Sequence, residues 1–326
     1  MDSNDTSGFA YAEGRLHGRW VVTWPGADRF AAHRARDHET AADHEIWLAD
    51  TGGRSYAQMY AIERVLHRSR SRYQLIEVLE HALFGKLLVL DGAVQVTTFD
   101  EFVYHEMLSH PLLIAHPDPK AVLVIGGGDG GLIRECARHP LETIVLVEID
   151  QNVIDVTREH MPGLPGGVFD DSRLEVVIGD GFAYLEQTSQ RFDLVLVDST
   201  DPKGPGLSLF TPAFYSRVRD VLRPGGMVAV QSGSPLFQSD LAPWIRGNME
   251  TAFSTTRTYW ATIPTYPGVL WSFTLGTLGP DPAGVGPERI RERLDALGGA
   301  RYYSAAVHTM AFGKMPFDAS PARETP

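Results

Sequence analysis

The residues best able to do chemistry are acidic, and they stand at the ends of apolar runs. Asp129 lies in GGGDGG, Glu148 in LVEID, Asp180 in VIGDGF, and Asp198 and Asp201 in LVDSTDP. A glycine turn between a strand and a helix usually offers backbone N–H groups and a positive helix end to a phosphate, so a carboxylate inside it should repel the usual ligand. A cationic ligand would suit it. Gly126, Gly128 and Gly131 satisfy G-x-G-x-x-G, and Glu148 ends the next apolar run, placed to accept hydrogen bonds from ribose hydroxyls. Asp180 suits an adenine amino group, because an ionised carboxylate only accepts and that amine only donates. Two ligands fit this set. A dinucleotide would lay its pyrophosphate against Asp129, whereas a sulfonium nucleoside carries positive charge and no phosphate.

Such residues need a sheet to gather them. From residue 121 the chain alternates AVLVI, LIRECARH, TIVLVEID, LEVVIGD, DLVLVDS, PAFYSRVRDVL and MVAVQ. Near-continuous Val, Ile and Leu runs separated by helices predict parallel strands buried on both faces, hence a doubly wound, Rossmann-like α/β domain. Ligands of such sheets bind outside the carboxyl ends of the strands, where the five acids fall. TYWATIP and WSFTLGTLG are expected to add a final strand pair, and PERIRERLDALG a late helix. Upstream, RYQLIEVLE, GKLLVLDG and AVQVTT alternate as strands of a small antiparallel β-domain, with Asp91-Gly92 as a turn. DEFVYHEMLSHPLLIAH reads as an amphipathic helix capped by Asp100, with Phe102, Met107 and Leu108 on its buried stripe. The expected organisation is a polar, mobile tail over 1–45, in which RWVVTW could make a short strand, then a β-domain with linking helix over 46–115, and a nucleoside-binding catalytic domain over 116–326.

Composition narrows the function. The chain has 326 residues, 43% hydrophobic and 21% charged, with a formal net charge of -12, which disfavours a nucleic-acid surface and favours a small cationic partner. Cys136 is the only cysteine, so no intramolecular disulfide can form. No apolar stretch suits a secretion signal or a membrane span, and the expected location is the cytoplasm. His105 and His110 are placed on different faces of one helix, so no metal site is expected.

SRYQ, LVLDGAVQVTTFDEFVYHEM, VLVIGGGDGGLIRE, VEID, GDGF, VDSTDPKGP, IPTYP and RYYSAAVHTMAF occur in the order seen in the spermidine synthases, the polyamine aminopropyltransferases, and the chain resembles that family over roughly residues 47 to 313. The resemblance implies transfer of an aminopropyl group from decarboxylated S-adenosylmethionine, a co-substrate and not a tightly bound cofactor, to putrescine or a related amine. It places Asp129 at the aminopropyl ammonium, Asp198 as the acid–base residue with Tyr104 beside it, and Gln74, Gly126, Gly128, Glu148, Asp180, Gly181 and Pro205 at the nucleoside. It also places Trp47, His105, Ser199, Thr200, Asp201, Gln231 and Tyr266 at the amine, and implies a homodimer or homotetramer.

The chemistry is consistent with this. An alkylamine with a pKa near that of lysine, about 10.4, is protonated at neutral pH, so a nucleophilic amine needs a base. The spacing of Asp198 and Asp201 lets one carboxylate take that proton while the other anchors the diamine. Three residues depart from the family pattern: Lys203 in DPKGP, Leu207 in GLSLF and Phe99 in TTFDEF. Three other readings stay open: an N-methyltransferase on the same fold, a dehydrogenase, and a non-catalytic polyamine-binding module.

Overall fold

The computed structural model describes residues 21–22, 30–31, 46–50, 57–202 and 204–314. Its chain divides into two compact units, residues 1–100 with 159–161, and 101–158 with 162–326. Within the first 45 residues, β1 (Val21–Val22) and β2 (Phe30–Ala31) pair antiparallel, and the remainder of the predicted tail lies outside the described residues.

In the first unit β3 (Ile46–Asp50) and β4 (Gln58–Ile62) form an antiparallel pair, and β5 (Arg64–Arg70), β6 (Leu75–His81), β7 (Gly85–Leu90) and β8 (Ala93–Thr97) form a four-stranded meander. Leu48, Tyr60, Ile62, Leu79, Leu87, Val89 and Val94 make its core. The predicted Asp91-Gly92 turn joins β7 to β8 with both φ angles positive, at 46° and 77°, as the right-handed twist of a tight hairpin demands. Asp91 Oδ1 also accepts the N–H of Leu75, which pins β6 to the turn.

The second unit begins with α1 (Glu101–Ala115) and alternates β9 (Ala121–Gly126), α2 (Gly131–Ala137), β10 (Thr143–Glu148), α3 (Gln151–His160), β11 (Leu174–Ile178), α4 (Gly181–Gln187), β12 (Phe192–Asp198), α5 (Pro212–Val221) and β13 (Leu222–Gln231). It ends with α6 (Leu241–Met249), the hairpin β14 (Thr255–Thr262) and β15 (Leu270–Thr277), α7 (Pro287–Ala296) and α8 (Ala305–Ala311). The strand order is β11-β10-β9-β12-β13-β15-β14, parallel from β11 to β13 and antiparallel beyond. The order reverses between β9 and β12, which opens a crevice at their carboxyl ends.

Two sequence expectations change. Strands β9, β10 and β12 are almost fully buried, but β11 lies at the sheet edge, pairing only with β10 among the described strands, and Val176 and Ile178 are exposed there. Helix α1 is not amphipathic: every residue except Phe102 is buried, since α2, β12, β13 and β14 surround it. Its buried Glu106 is matched by three backbone N–H donors, from Arg301, Tyr302 and Tyr303.

Candidate active site

The glycine turn after β9 is shaped by what packs against it. Gly126 pairs with Asp198 across the β9–β12 register, and Gly127 adopts φ +77° with its Cα so close to Asp198 that an added Cβ would stand 2.9 Å from Oδ2. An added Cβ at Gly131 would overlap the His105 ring. Gly127 and Gly131 therefore admit the Asp198 and His105 side chains close to the backbone. Gly128 donates its N–H to Glu148 Oε2 at 3.1 Å, and the N–H of Asp150 reaches Oε1 at 2.9 Å. Burial nevertheless pushes the Glu148 carboxyl up to about 7.

Asp198 ends β12 and faces the turn. Tyr104, on α1, donates its hydroxyl to Asp198 Oδ1 at 2.7 Å, while Oδ2 is buried and accepts no hydrogen bond from the described residues. Burial, then the neighbouring Asp129, raise its pKa to about 6, and His105 and the Tyr104 hydroxyl act the other way. A starved carboxylate of this kind can take up a proton near neutrality. Burial and Asp198 together hold the Tyr104 hydroxyl well above its usual pKa, so it remains a donor.

Asp129 accepts the N–H of Gly131 on Oδ1 at 2.7 Å, and the same oxygen lies 3.6 Å from His105 Nε2. Burial opposes its charge, but His105 and the Gly131 N–H hold its pKa below the usual value, so the turn carries a full negative charge. The aromatic wall comes from Tyr104, which meets Tyr266 edge to face at 5.8 Å and lies 5.4 Å from Phe273. Tyr266 is carried by the loop between β14 and β15 and packs on Trp271 at 4.6 Å.

The remaining predicted residues occupy varied settings. Asp180 caps α4, accepting the N–H of Ala183 on Oδ1 at 2.8 Å, and Gly181 follows it against Ile125. Ser199 and Thr200 continue from β12, and Gln231 at the end of β13 donates to the Ser199 carbonyl at 3.3 Å. Asp201 accepts from Gln238 Nε2 at 2.8 Å. Trp47 pairs with Ala61 on β3 and β4, and Gln74 lies in the β5–β6 turn, bonded to Ser71 Oγ; both belong to the first unit. Lys203 and the side chain of Pro205 lie outside the described residues, and Leu207 and Phe99 are exposed.

Sequence reasoning passed over Glu101, Arg134 and Gln238. Glu101 stands one helical turn before His105, a spacing at which helix side chains meet, and that was the available signal. Ligand-type atoms converge within 4.8 Å in two clusters among the described residues, His105 with Asp129 and Asp198, and Glu106 with His110 and Glu135. His105 and His110 fall in different clusters. Protein donors balance both: His105 stands between carboxylates in the first, and Arg134 and Arg138 reach Glu135 in the second.

Comparison with known proteins places this arrangement. Residues 101–280 match the spermine/spermidine synthase domain, and residues 46–98 the spermidine synthase tetramerisation domain. The polyamine aminopropyltransferase of Desulforudis audaxviator is 44% identical over 83% of this chain and 97% of its own length, and that of Bacillus mycoides is 39% identical over 84% and 98%. A crystal structure of a spermidine synthase in complex with the transition-state analogue AdoDATO superposes with a TM-score of 0.79 at 34% identity, covering 83% of this chain and 92% of that one. Spermidine synthase from Thermotoga maritima gives 0.78 at the same identity.

Proposed function

The chain belongs to the spermine/spermidine synthase family and is an aminopropyltransferase, and from that premise we propose that it moves the aminopropyl group of decarboxylated S-adenosylmethionine to putrescine or a closely related amine. The observation that carries this reading is the pairing of an ionised carboxylate in the glycine turn, Asp129, with a starved one across from it, Asp198 Oδ2.

In this reading Asp129 faces the donor's ammonium, Glu148 accepts from the ribose hydroxyls and Asp180 from the adenine amine, with Gly126, Gly128, Gly181 and Pro205 completing the nucleoside site. The amine nitrogen attacks the methylene carbon beside the sulfonium, so an N–C bond forms and the C–S bond breaks. Its electron pair returns to sulfur as a neutral thioether, methylthioadenosine. The amine's extra proton passes to Asp198 Oδ2, and Tyr104 holds Oδ1 so that the free oxygen points at the nucleophile. Tyr266 supplies an aromatic face for the acceptor, and Asp201, with His105, Ser199, Thr200 and Gln231, positions its far end. The donor is consumed, so no tightly bound cofactor enters the scheme. The match of residues 46–98 to a tetramerisation domain supports a homodimer or homotetramer, and light scattering would settle which. No helix among the described residues is long and apolar enough to cross a membrane. A cytoplasmic location is part of the proposal.

The test is methylthioadenosine release across putrescine, cadaverine, agmatine and spermidine, with decarboxylated and intact S-adenosylmethionine as donors. Release with the decarboxylated donor and a diamine is expected. Methyl transfer from the intact donor, or binding without turnover, would contradict the reading, because the intact donor brings a carboxylate toward Asp129.

A further inference from the structure

His105 stands between two carboxylates. Nδ1 lies 2.8 Å from Glu101 Oε2 and Nε2 lies 3.6 Å from Asp129 Oδ1, with the ring 1% exposed. An ionised carboxylate only accepts, so Nδ1 directs its proton at Glu101, and a lone pair on Nε2 would face a second negative oxygen. Only a ring protonated on both nitrogens satisfies both neighbours. Burial works against that charge, but Asp129 and Glu101 override it and hold the ring's pKa at about 10.

Glu101 is fixed from behind. Arg134 donates to its Oε2 at 2.8 Å, and Arg301 approaches Oε1 at 3.6 Å. Gly131 leaves room for the ring on its other side, so the imidazolium has one orientation. Its third neighbour is Asp198, whose polar atoms fall within 4.8 Å of those of His105 and Asp129. Among the described residues, the groups acting on Asp198 are Asp129, the Tyr104 hydroxyl and His105, while Glu148 and the Cys136 thiol feel its charge; of these His105 alone is cationic.

We propose that Glu101 is a positioning residue for the transfer: by holding His105 as a fixed imidazolium, it keeps Asp198 ionised beside Asp129 and ready to accept the amine's proton at neutral pH. This rests on the assignment of Asp198 as the base. Glu101 touches neither substrate nor reacting atoms and acts through His105.

Two measurements test it. In protein carrying 15N-labelled histidine, the His105 ring, assigned by its loss in His105→Gln, should show both nitrogens protonated up to pH 8, and Glu101→Gln should bring its deprotonation toward neutrality. The ratio of kcat/KM for Glu101→Gln over wild type, in which the acceptor's own ionisation cancels, should then fall to about one half near pH 7, where the ring has lost its charge, and climb toward one by pH 9, as a shift of one pKa unit in the base requires. A wild type with no turnover overturns the functional reading. A wild type that turns over while the variant's ratio stays flat with pH overturns the role of Glu101 alone. If the variant does not fold, the wild-type ring still decides, because one bare nitrogen at pH 7 overturns the proposal.

Discussion

Asp193 and Asp198 stand near opposite ends of β12, and the protein surrounds them differently. At the amino end Asp193 Oδ2 accepts the N–H groups of Lys120 and Ala121, each at 2.8 Å, and the Arg223 guanidinium at 2.9 Å. At the carboxyl end Asp198 has one hydroxyl donor, a bare buried oxygen and a second carboxylate nearby. A carboxylate that stabilises a fold is saturated with donors, whereas one that must gain and lose a proton is starved of them. On the proposed mechanism the strand therefore carries a structural acid and a chemical one.

Exchanging each acid should break different properties. Asp198→Asn keeps size and most hydrogen bonding but removes the proton acceptor, and kcat should fall about 10²- to 10⁴-fold. The melting temperature at pH 8 should hold or rise, because a buried charge is lost. Steady-state kinetics and calorimetric melting read both sides; a retained kcat at neutral pH would remove Asp198 from the base role.

Asp193→Ala should do the reverse. It leaves two backbone donors and an arginine without their acceptor, for an expected loss of about 3–5 kcal/mol in unfolding free energy. The fraction that stays folded should turn over at the wild-type rate, as denaturant titration beside active-site-normalised kinetics would show.

Glu148 sharpens the comparison because it lies between the extremes, with two backbone donors and yet a pKa of about 7. Its folded pKa exceeds the unfolded value, so the folded state binds more protons between about pH 4.5 and 7. Stability is present in full below that window and lost as pH rises through it. Glu148→Gln should therefore gain about 2–3 kcal/mol on wild type between pH 5 and pH 8.5. It should also bind methylthioadenosine more weakly, by calorimetry.

Imidazoles repeat the contrast on a smaller scale. His105 is held charged by two acids, whereas burial, His110 and Arg138 push His139 down to about 2. The unfolded chain then binds the extra proton below about 6.5, so stability is present above that pH and falls as pH drops. His139 alone should account for about 2 kcal/mol of loss at pH 5, and His139→Asn should flatten melting profiles between pH 7 and 5.

Much of this was legible in the chain. Apolar runs placed the strands, and the sheet order reverses where Gly126 and Asp198 meet, so acids at successive strand ends converge. Local patterns could not show that β11 is an edge or that α1 is enclosed, since both depend on what packs beside them. Position in the run marked Asp198, which follows it, and set aside Asp193, which precedes it, but the donors around each, which give the two acids opposite surroundings, are visible only in the fold. The spacing of Glu101 to His105 was visible, but the approach of His105 to Asp129 and Asp198 was not, because it depends on the packing of α1 against the strand ends.

The measurement closest to the central claim, that these strand ends receive a cationic sulfonium nucleoside, is calorimetry of wild type and Asp129→Asn with decarboxylated S-adenosylmethionine and with methylthioadenosine. The account predicts that the variant loses at least about tenfold in donor affinity, the order expected of a charge-assisted contact, and keeps nearly all its affinity for the product, which has no ammonium. Equal losses for the two ligands would contradict it, because Asp129 would then be shaping the turn and not reading charge.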